Sequence, residues 1–371
     1  MNAACKKWLE EKLEKLQALE SYSLERTNEN IARQLGISPT EIVKLNYNEN
    51  LFMPREKLIE LMKEVAEECD LRIYPQEEKN KLREKLSSYL KTPKECIVVG
   101  NASDELIDRI ARLFLEKGDS AVSVMPTFPV FRYCVKHQGA EYVTVPLLKN
   151  FELDVKRLSD TFLTRTRLLY LCSPNNPTAN QFKMDEIETL IKEFPGMVIV
   201  DEAYAEYADY SMVSRIGEFE NLIILRTFSK AFGLAGLRLG YAVANAGLAK
   251  ILAEKTPLPF PVSAFTLNMG RKLLENFAIV EKAVKELKSE RGTLIRKLNE
   301  INGIEAFDSK ANFILFNTVK PYDDVYQSLL RKGILIKKFG KILHLDNCLR
   351  TTVGLPQMNA KLLKALGEIF R

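Results

Sequence analysis

Lys230 stands in the chain's most reactive stretch, RTFSKAFGLAGLRLGY at positions 226–241. An apolar run, NLIIL at 221–225, leads into Thr227 and Ser229, and Arg238 follows among glycines. Hydroxyls, an amine and a guanidinium therefore converge where a strand is expected to end. Thr and Ser hydroxyls donate to phosphate oxygens, an arginine fork grips two of them, and a lysine amine condenses with an aldehyde to a Schiff base. A phosphorylated aldehyde would satisfy every one of these groups. A Ser-Lys pair before glycines is also what an ordinary strand-to-loop junction looks like, so other segments must decide.

Two other segments carry polar groups at the ends of apolar runs. In RLLYLCSPNNPT at 167–178, Pro174 and Pro177 bracket two amides and aim Asn176 into the crevice where open parallel sheets bind ligands. In MVIVDEAYAEY at 197–207, Asp201 and Tyr204 follow a buried-strand pattern. A carboxylate there is unfavourable unless paired. A protonated pyridine nitrogen suits it, with Tyr204 reaching a phenolic oxygen on the same ring.

The elements that must hold these residues are legible as alternating apolar runs. CIVVG at 96–100 reads as a strand, followed by NASDEL with Ser103 as N-cap of a helix containing Leu106, Ile107, Ile110 and Leu113. Such a helix start offers N–H groups to an anion, and is equally common with no ligand. SAVSVMP at 120–126 is the next strand, ending at Phe128, which either stacks on a flat ring or fills the core. Strands alternating with helices from Cys96 to about Val243 imply an α/β fold, a mostly parallel (mixed) doubly wound sheet flanked by helices. Long helices over about 263–302, then IEAFDS, ANFILF, ILIKKF and LRTTVG between helices, suit a smaller α+β domain. The expected division is an N-terminal helical arm with a small-domain segment (1–45), a large domain (46–262) and a small domain (263–371).

Two N-terminal segments are less regular. Leu9, Leu13, Leu16 and Leu19 are spaced for one helix face, as in an arm packed on something larger. KLNYNENLFMP at 44–54 signals irregular backbone, and Tyr74-Pro75 imposes turn or extended geometry on the tyrosine.

Composition narrows the class. With 371 residues, 46% hydrophobic and 28% charged, the chain is long enough for a large core. Its 54 basic residues lie among 49 acidic ones without long single-sign runs, so no nucleic-acid surface is indicated. No stretch reaches the roughly 20 apolar residues of a membrane span, and the charged N-terminus lacks a signal-peptide core, so a cytoplasmic location is expected. Six scattered cysteines and two histidines (His137, His344) argue against a disulfide framework or a metal site.

SPNNPT, DEAYAEY, TFSKAFGLAGLRLGY and CLRTTVG, in this order and spacing, resemble the fold-type-I pyridoxal-phosphate aminotransferases. NYNEN, YPQ, GNASDE and ANFILF are most similar to the histidinol-phosphate aminotransferase branch, and the resemblance runs from about Tyr22 to the C-terminus. It implies pyridoxal 5'-phosphate as cofactor, held by Lys230 as a Schiff base, with the same lysine moving the substrate's proton. Asp201 would keep the pyridine nitrogen protonated, Tyr204 and Asn176 would bond the ring hydroxyl, and Phe128 would stack on the ring. Ser103, Asp104, Thr227, Ser229 and Arg238 would form the phosphate cup, joined by Tyr74 of a neighbouring subunit, which makes a homodimer the working unit. Arg350 would bind the substrate's anionic group, with Tyr22, Asn48 and Lys337 as further substrate contacts.

The implied reaction is ping-pong transamination between an amino donor and a 2-oxo acceptor, one of them phosphorylated, with histidinol phosphate as the indicated substrate. Departures from the branch pattern are Lys337 where relatives carry arginine, Leu355-Pro356 where they carry a hydroxyl residue and arginine, and Ala179 where they carry glycine. These leave open a threonine-phosphate decarboxylase, a broader aminotransferase acting on aromatic amino acids, and a catalytically silent cofactor-binding protein; the silent protein predicts loss of Lys230, Asp201 or Arg350, all of which are present.

Overall fold

The computed structural model of the chain describes residues 2–20, 27–255 and 258–371. The N-terminal third comprises α1 (Ala3–Gln17), α2 (Asn28–Leu35), β1 (Val43–Lys44), α3 (Arg55–Glu68), α4 (Gln76–Leu90), β2 (Ile97–Gly100), α5 (Ala102–Phe114), β3 (Ser120–Met125) and α6 (Val130–His137). The middle holds β4 (Glu141–Pro146), α7 (Val155–Ser159), β5 (Thr166–Cys172), α8 (Met184–Glu193), β6 (Met197–Asp201), β7 (Leu222–Thr227), β8 (Gly240–Ala244) and α9 (Ala246–Glu254). The C-terminal part is α10 (Ala264–Glu275), α11 (Phe277–Asn299), β9 (Ile304–Ala306), β10 (Phe313–Thr318), α12 (Tyr322–Arg331), β11 (Ile334–Leu335), β12 (Lys337–Ile342), β13 (Leu345–Thr352) and α13 (Pro356–Ile369).

Among the described residues the main sheet has the order β2-β8-β7-β6-β5-β3-β4. Its strands are apolar on both faces because both are covered. Ile97, Val99, Leu169, Leu171, Val198, Val200, Leu222 and Ile224 join one core with α4, α8 and α10. Val98, Leu168, Tyr170, Ile199, Ile223 and Leu225 point the other way, into a core with α5, α6 and α9. The period of two along each strand thus separates the two layers of a doubly wound sheet. β3 to β7 pair in parallel, whereas β8 runs antiparallel to both β7 and β2. Residues 228–239 between β7 and β8 form only a short 3-10 turn, and without a crossover helix the chain can return only in the opposite direction.

The second sheet, β12-β13-β10-β9, is antiparallel and carries α11, α12 and α13, while β1 pairs in parallel with β11. ILIKKF divides into two strands at Ile336. Helix α10 packs against α3, with Lys272 ion-paired to Glu64 and Glu68. Among the described residues nothing covers the apolar stripe of α1: Leu9, Leu13 and Leu16 are exposed beside Trp8, and Glu20, just beyond the helix, pairs with Arg132 of the body.

A buried ionic cluster locks the carboxyl ends of β6 and β7 together. Arg226 donates through Nε to Glu202 at 2.9 Å, through Nη1 to Glu206 at 2.8 Å and through Nη2 to Ser211 Oγ at 2.9 Å. Glu202 also accepts from the Met212 amide, and Glu206 from the Tyr89 hydroxyl. Removing the one cation would leave two carboxylates in a low-dielectric interior. Arg226→Met is expected to lower stability by roughly 3–5 kcal/mol, read as a fall in the urea midpoint at unchanged slope.

Candidate active site

A cavity of about 610 Å³ opens where the carboxyl ends of the parallel strands meet the second sheet. Residues 46–50 are strapped across this junction. The Leu45 amide donates to Leu335 of β11 and its carbonyl accepts from Thr352 of β13, tying the strap's start to the β1–β11 pair and to the second sheet. Asn50 Nδ2 donates to the Ala231 carbonyl beside Lys230, and the Lys230 Nζ donates to the Tyr47 carbonyl at 3.2 Å. The asparagines read from sequence as turn formers do bend the chain, Asn48 at φ 56°. They also knit the two sheets together.

Asp201 and Lys230 line this one cavity. Asp201 ends β6 opposite Cys172 of β5 and is 2% exposed. Its Oδ2 accepts from the Tyr170 hydroxyl at 2.7 Å and its Oδ1 from the Ala203 amide at 3.0 Å. Among the described residues it makes no ion pair. Burial pushes its carboxyl up to about 6 against the pull of those two donors. Burial and the Arg350 charge hold the Lys230 amine down at about 8. A lysine so lowered presents a sizeable neutral fraction near physiological pH, the form that attacks a carbonyl. A buried carboxylate without a cation fits a protonated heteroaromatic nitrogen, and a lowered lysine fits an aldehyde; the donor set therefore suits a cofactor that carries both.

One end of the cavity is built for an anion. Ser103 and Asp104 lie in the first turn of α5, with Thr227, Ser229 and Arg238 across from them. Arg238, at φ 52°, donates to Asp104 Oδ2 at 2.6 Å and to Ser229 Oγ at 3.4 Å. Ser103 is not the N-cap: α5 begins at Ala102 after Asn101, with no side-chain cap bond. The reason lies across the sheet. Ala102, at φ 62°, packs so close to Gly240 that a Cβ there would sit 2.6 Å from the Ala102 carbonyl carbon and the Ser103 nitrogen.

Arg350 and Lys337 also line the cavity, as directly opposed residues of β13 and β12. Arg350 donates to the Asn46 carbonyl at 2.8 Å and to Asn176 Oδ1, with its guanidinium 4.9 Å from the Phe313 ring centroid and 5.5 Å from that of Phe339. Asn48, Phe128, Asn176 and Tyr204 also line the cavity, so thirteen of the fifteen candidate side chains come together. Tyr74 does not line it: it is 72% exposed and stacks on Phe260 at 4.8 Å. Tyr22 lies outside the described residues. Leu355-Pro356 starts α13 and does not line the cavity, while Ala179 adopts φ 64° with its carbonyl accepting from the Lys310 amide at 2.7 Å. Sequence reasoning missed Tyr47, Asn46, Tyr133 and Phe339 in the wall and Tyr170 beneath Asp201. Tyr170 was findable, since it lies two residues before Cys172 on the same strand face.

The family model for aminotransferase class I and II matches residues 40–366. The chain is 38% identical over 332 residues to a histidinol-phosphate aminotransferase of Thermoanaerobacter pseudethanolicus, covering 88% of this chain and 93% of that one. It is 34% identical over 351 residues to the enzyme of the same name from Methanosarcina mazei, covering 94% and 93%. The crystal structure of histidinol-phosphate aminotransferase from Sinorhizobium meliloti in complex with pyridoxal-5'-phosphate superposes at a TM-score of 0.86, with 25% identity over 96% of both chains. The chain belongs to the aminotransferase class I and II family and has the type I fold of pyridoxal-phosphate-dependent transferases.

Asp201 makes stability pH-dependent in a definite sense. Its folded carboxyl holds a proton more tightly than an unfolded one, so its penalty appears as pH rises from about 4 through 6 and is complete above. Asp201→Asn should therefore stabilise the cofactor-free protein by on the order of 2–3 kcal/mol at about pH 8 and by little at about pH 4, measured by denaturant titration at both.

Proposed function

We propose that the chain is a pyridoxal-phosphate-dependent aminotransferase whose physiological amino donor or product is histidinol phosphate, exchanging its amine with a 2-oxo acid such as 2-oxoglutarate. The observation that carries this reading is the pairing, in one cavity, of a lysine held near 8 with a buried carboxylate that has no cation of its own. The cofactor supplies a carbonyl that takes and returns the amine and a ring that accepts the electrons left when the substrate's α-proton departs. Lys230 would hold it and its Nζ would carry that proton. Asp201 would keep the ring nitrogen protonated, and Tyr204 and Asn176 would bond the ring oxygen. Phe128 would cover the ring face. Ser103, Asp104, Thr227, Ser229 and Arg238 would bind the phosphate.

The opposed Arg350 and Lys337 suit substrates that bring an anion to the same end in both directions of transfer, a phosphate or a second carboxylate. Arginine binds such a group with a planar fork, and lysine adds a point charge that accepts either. Curated relatives of the same name across most of the chain support histidinol phosphate.

We further propose a cytoplasmic homodimer of chains divided as 1–45, 46–262 and 263–371. Exposed Leu71, Ile73, Tyr74, Leu258 and Phe260 supply an apolar surface that a second copy would cover, placing Tyr74 at the neighbour's phosphate site.

Lys230→Ala is expected to abolish turnover and the visible absorbance of the pyridoxal-phosphate-loaded protein. With the unmodified protein, histidinol phosphate and glutamate should each bleach that band, and phenylalanine should do so far more slowly. Equal bleaching by phenylalanine would favour a broad aminotransferase, and carbon dioxide release from threonine phosphate a decarboxylase.

A further inference from the structure

Asn48 acts on Tyr204. Its Nδ2 donates to the Tyr204 hydroxyl oxygen at 3.0 Å, and both side chains are buried at the cavity wall. A phenol has one hydrogen to give, and an oxygen that can receive. With that oxygen already receiving an N–H from Asn48, the Tyr204 hydrogen is left for the cavity. Were the amide reversed, Tyr204 would give its hydrogen to Asn48 and present only lone pairs to a ligand.

The arrangement is rigid. The Asn48 backbone N–H donates to Thr352 Oγ1 at 3.0 Å, and its backbone carbonyl accepts from Asn312 Nδ2 at 2.8 Å. Its left-handed backbone is one that asparagine tolerates better than most residues. The Tyr204 ring is held edge to face against Phe313 at 5.1 Å. Asn48 Oδ1 has no hydrogen-bond partner among the described residues, so the working contact of the side chain is the one to Tyr204. Burial keeps the Tyr204 hydroxyl protonated well above its ordinary range, with the Arg350 charge and the Asn48 bond pulling the other way.

We propose that Asn48 is a positioning residue that makes the Tyr204 hydroxyl an obligate donor toward an anionic oxygen of the bound cofactor. The proposal rests on the cofactor reading above, and it moves Asn48 from a substrate contact to a group acting through a second side chain. A donor aimed at an anionic oxygen holds negative charge there; without it, that charge binds a neighbouring proton more tightly.

The test uses Asn48→Gly, which keeps the left-handed backbone while removing the amide, and Asn48→Asp, which keeps the shape but replaces the donor with an acceptor. In the full-length cofactor-free protein, the Tyr204 ring-carbon resonance, labelled with ¹³C and assigned by its loss in Tyr204→Phe, should move in both variants. In the pyridoxal-phosphate-loaded protein, the pH midpoint of the visible band should rise by about one unit in Asn48→Gly and by more in Asn48→Asp. In a Tyr204→Phe background Asn48→Gly should shift it no further, because the two act as one unit. An unmoved resonance and midpoint in Asn48→Gly, or an equal shift with Tyr204→Phe in place, would overturn the proposal. Failure of the unmodified chain to take up pyridoxal phosphate would overturn the cofactor reading instead, and the two are distinguishable because the resonance is read without cofactor.

Discussion

Two buried ionisable groups line one cavity, neither of them in an ion pair among the described residues, and the rest of the molecule is arranged around that condition. Asp201 is drawn up to about 6 and Lys230 down to about 8, each because burial disfavours its charged form. Left to themselves such groups would seek water or each other. They are prevented from doing so because Asp201 ends β6 and Lys230 follows the end of β7 by three residues, both in the middle of a seven-stranded sheet anchored on both faces. The Arg226 cluster tightens the restraint by joining Glu202, next to Asp201, to β7 four residues before Lys230.

Three of the seven non-glycine residues with left-handed φ among the described residues lie in the same place. Asn48, Ala102 and Arg238 all line the cavity and all adopt left-handed φ without being glycine. Each unfavourable conformation is of order 1–2 kcal/mol, and it persists only where the surroundings leave no other choice. For Ala102 the surroundings are Gly240; for Asn48 they are Thr352 and Asn312. The strap at 46–50 also explains how two sheets can shape one pocket, since its backbone is bonded to the second sheet and its carbonyl at Tyr47 meets the lysine of the first.

The cavity is lined by Arg238 from the β7–β8 connection, by Arg350 and Lys337 from the second sheet, and by the buried carboxylate of Asp201. Arg238 is already partnered by Asp104, which orients the guanidinium without exhausting its five donors. Arg350 is steadied by the Asn46 carbonyl and Asn176 while two aromatic rings cover it. A ligand that carries anionic groups and a basic ring nitrogen is therefore matched in charge.

Local pattern determined much of this protein. The runs CIVVG, LLYLC, MVIVD and NLIIL announce buried strands because β-branched and apolar residues cluster between turn formers, and Asn176, Asp201 and Lys230 are legible as site residues because each lies at the end of such a run or within five residues of it. Only the tertiary structure decided what depends on partners far away in the chain. The direction of β8 follows from a connection too short for a helix. The displaced start of α5 follows from the approach of Gly240, 138 positions beyond Ala102. Tyr170 beneath Asp201, Tyr47 against Lys230 and Asn48 on Tyr204 are set by contacts between segments that neither periodicity nor a short motif can bring together, because a side chain's neighbours across a sheet are fixed by the packing of the whole chain.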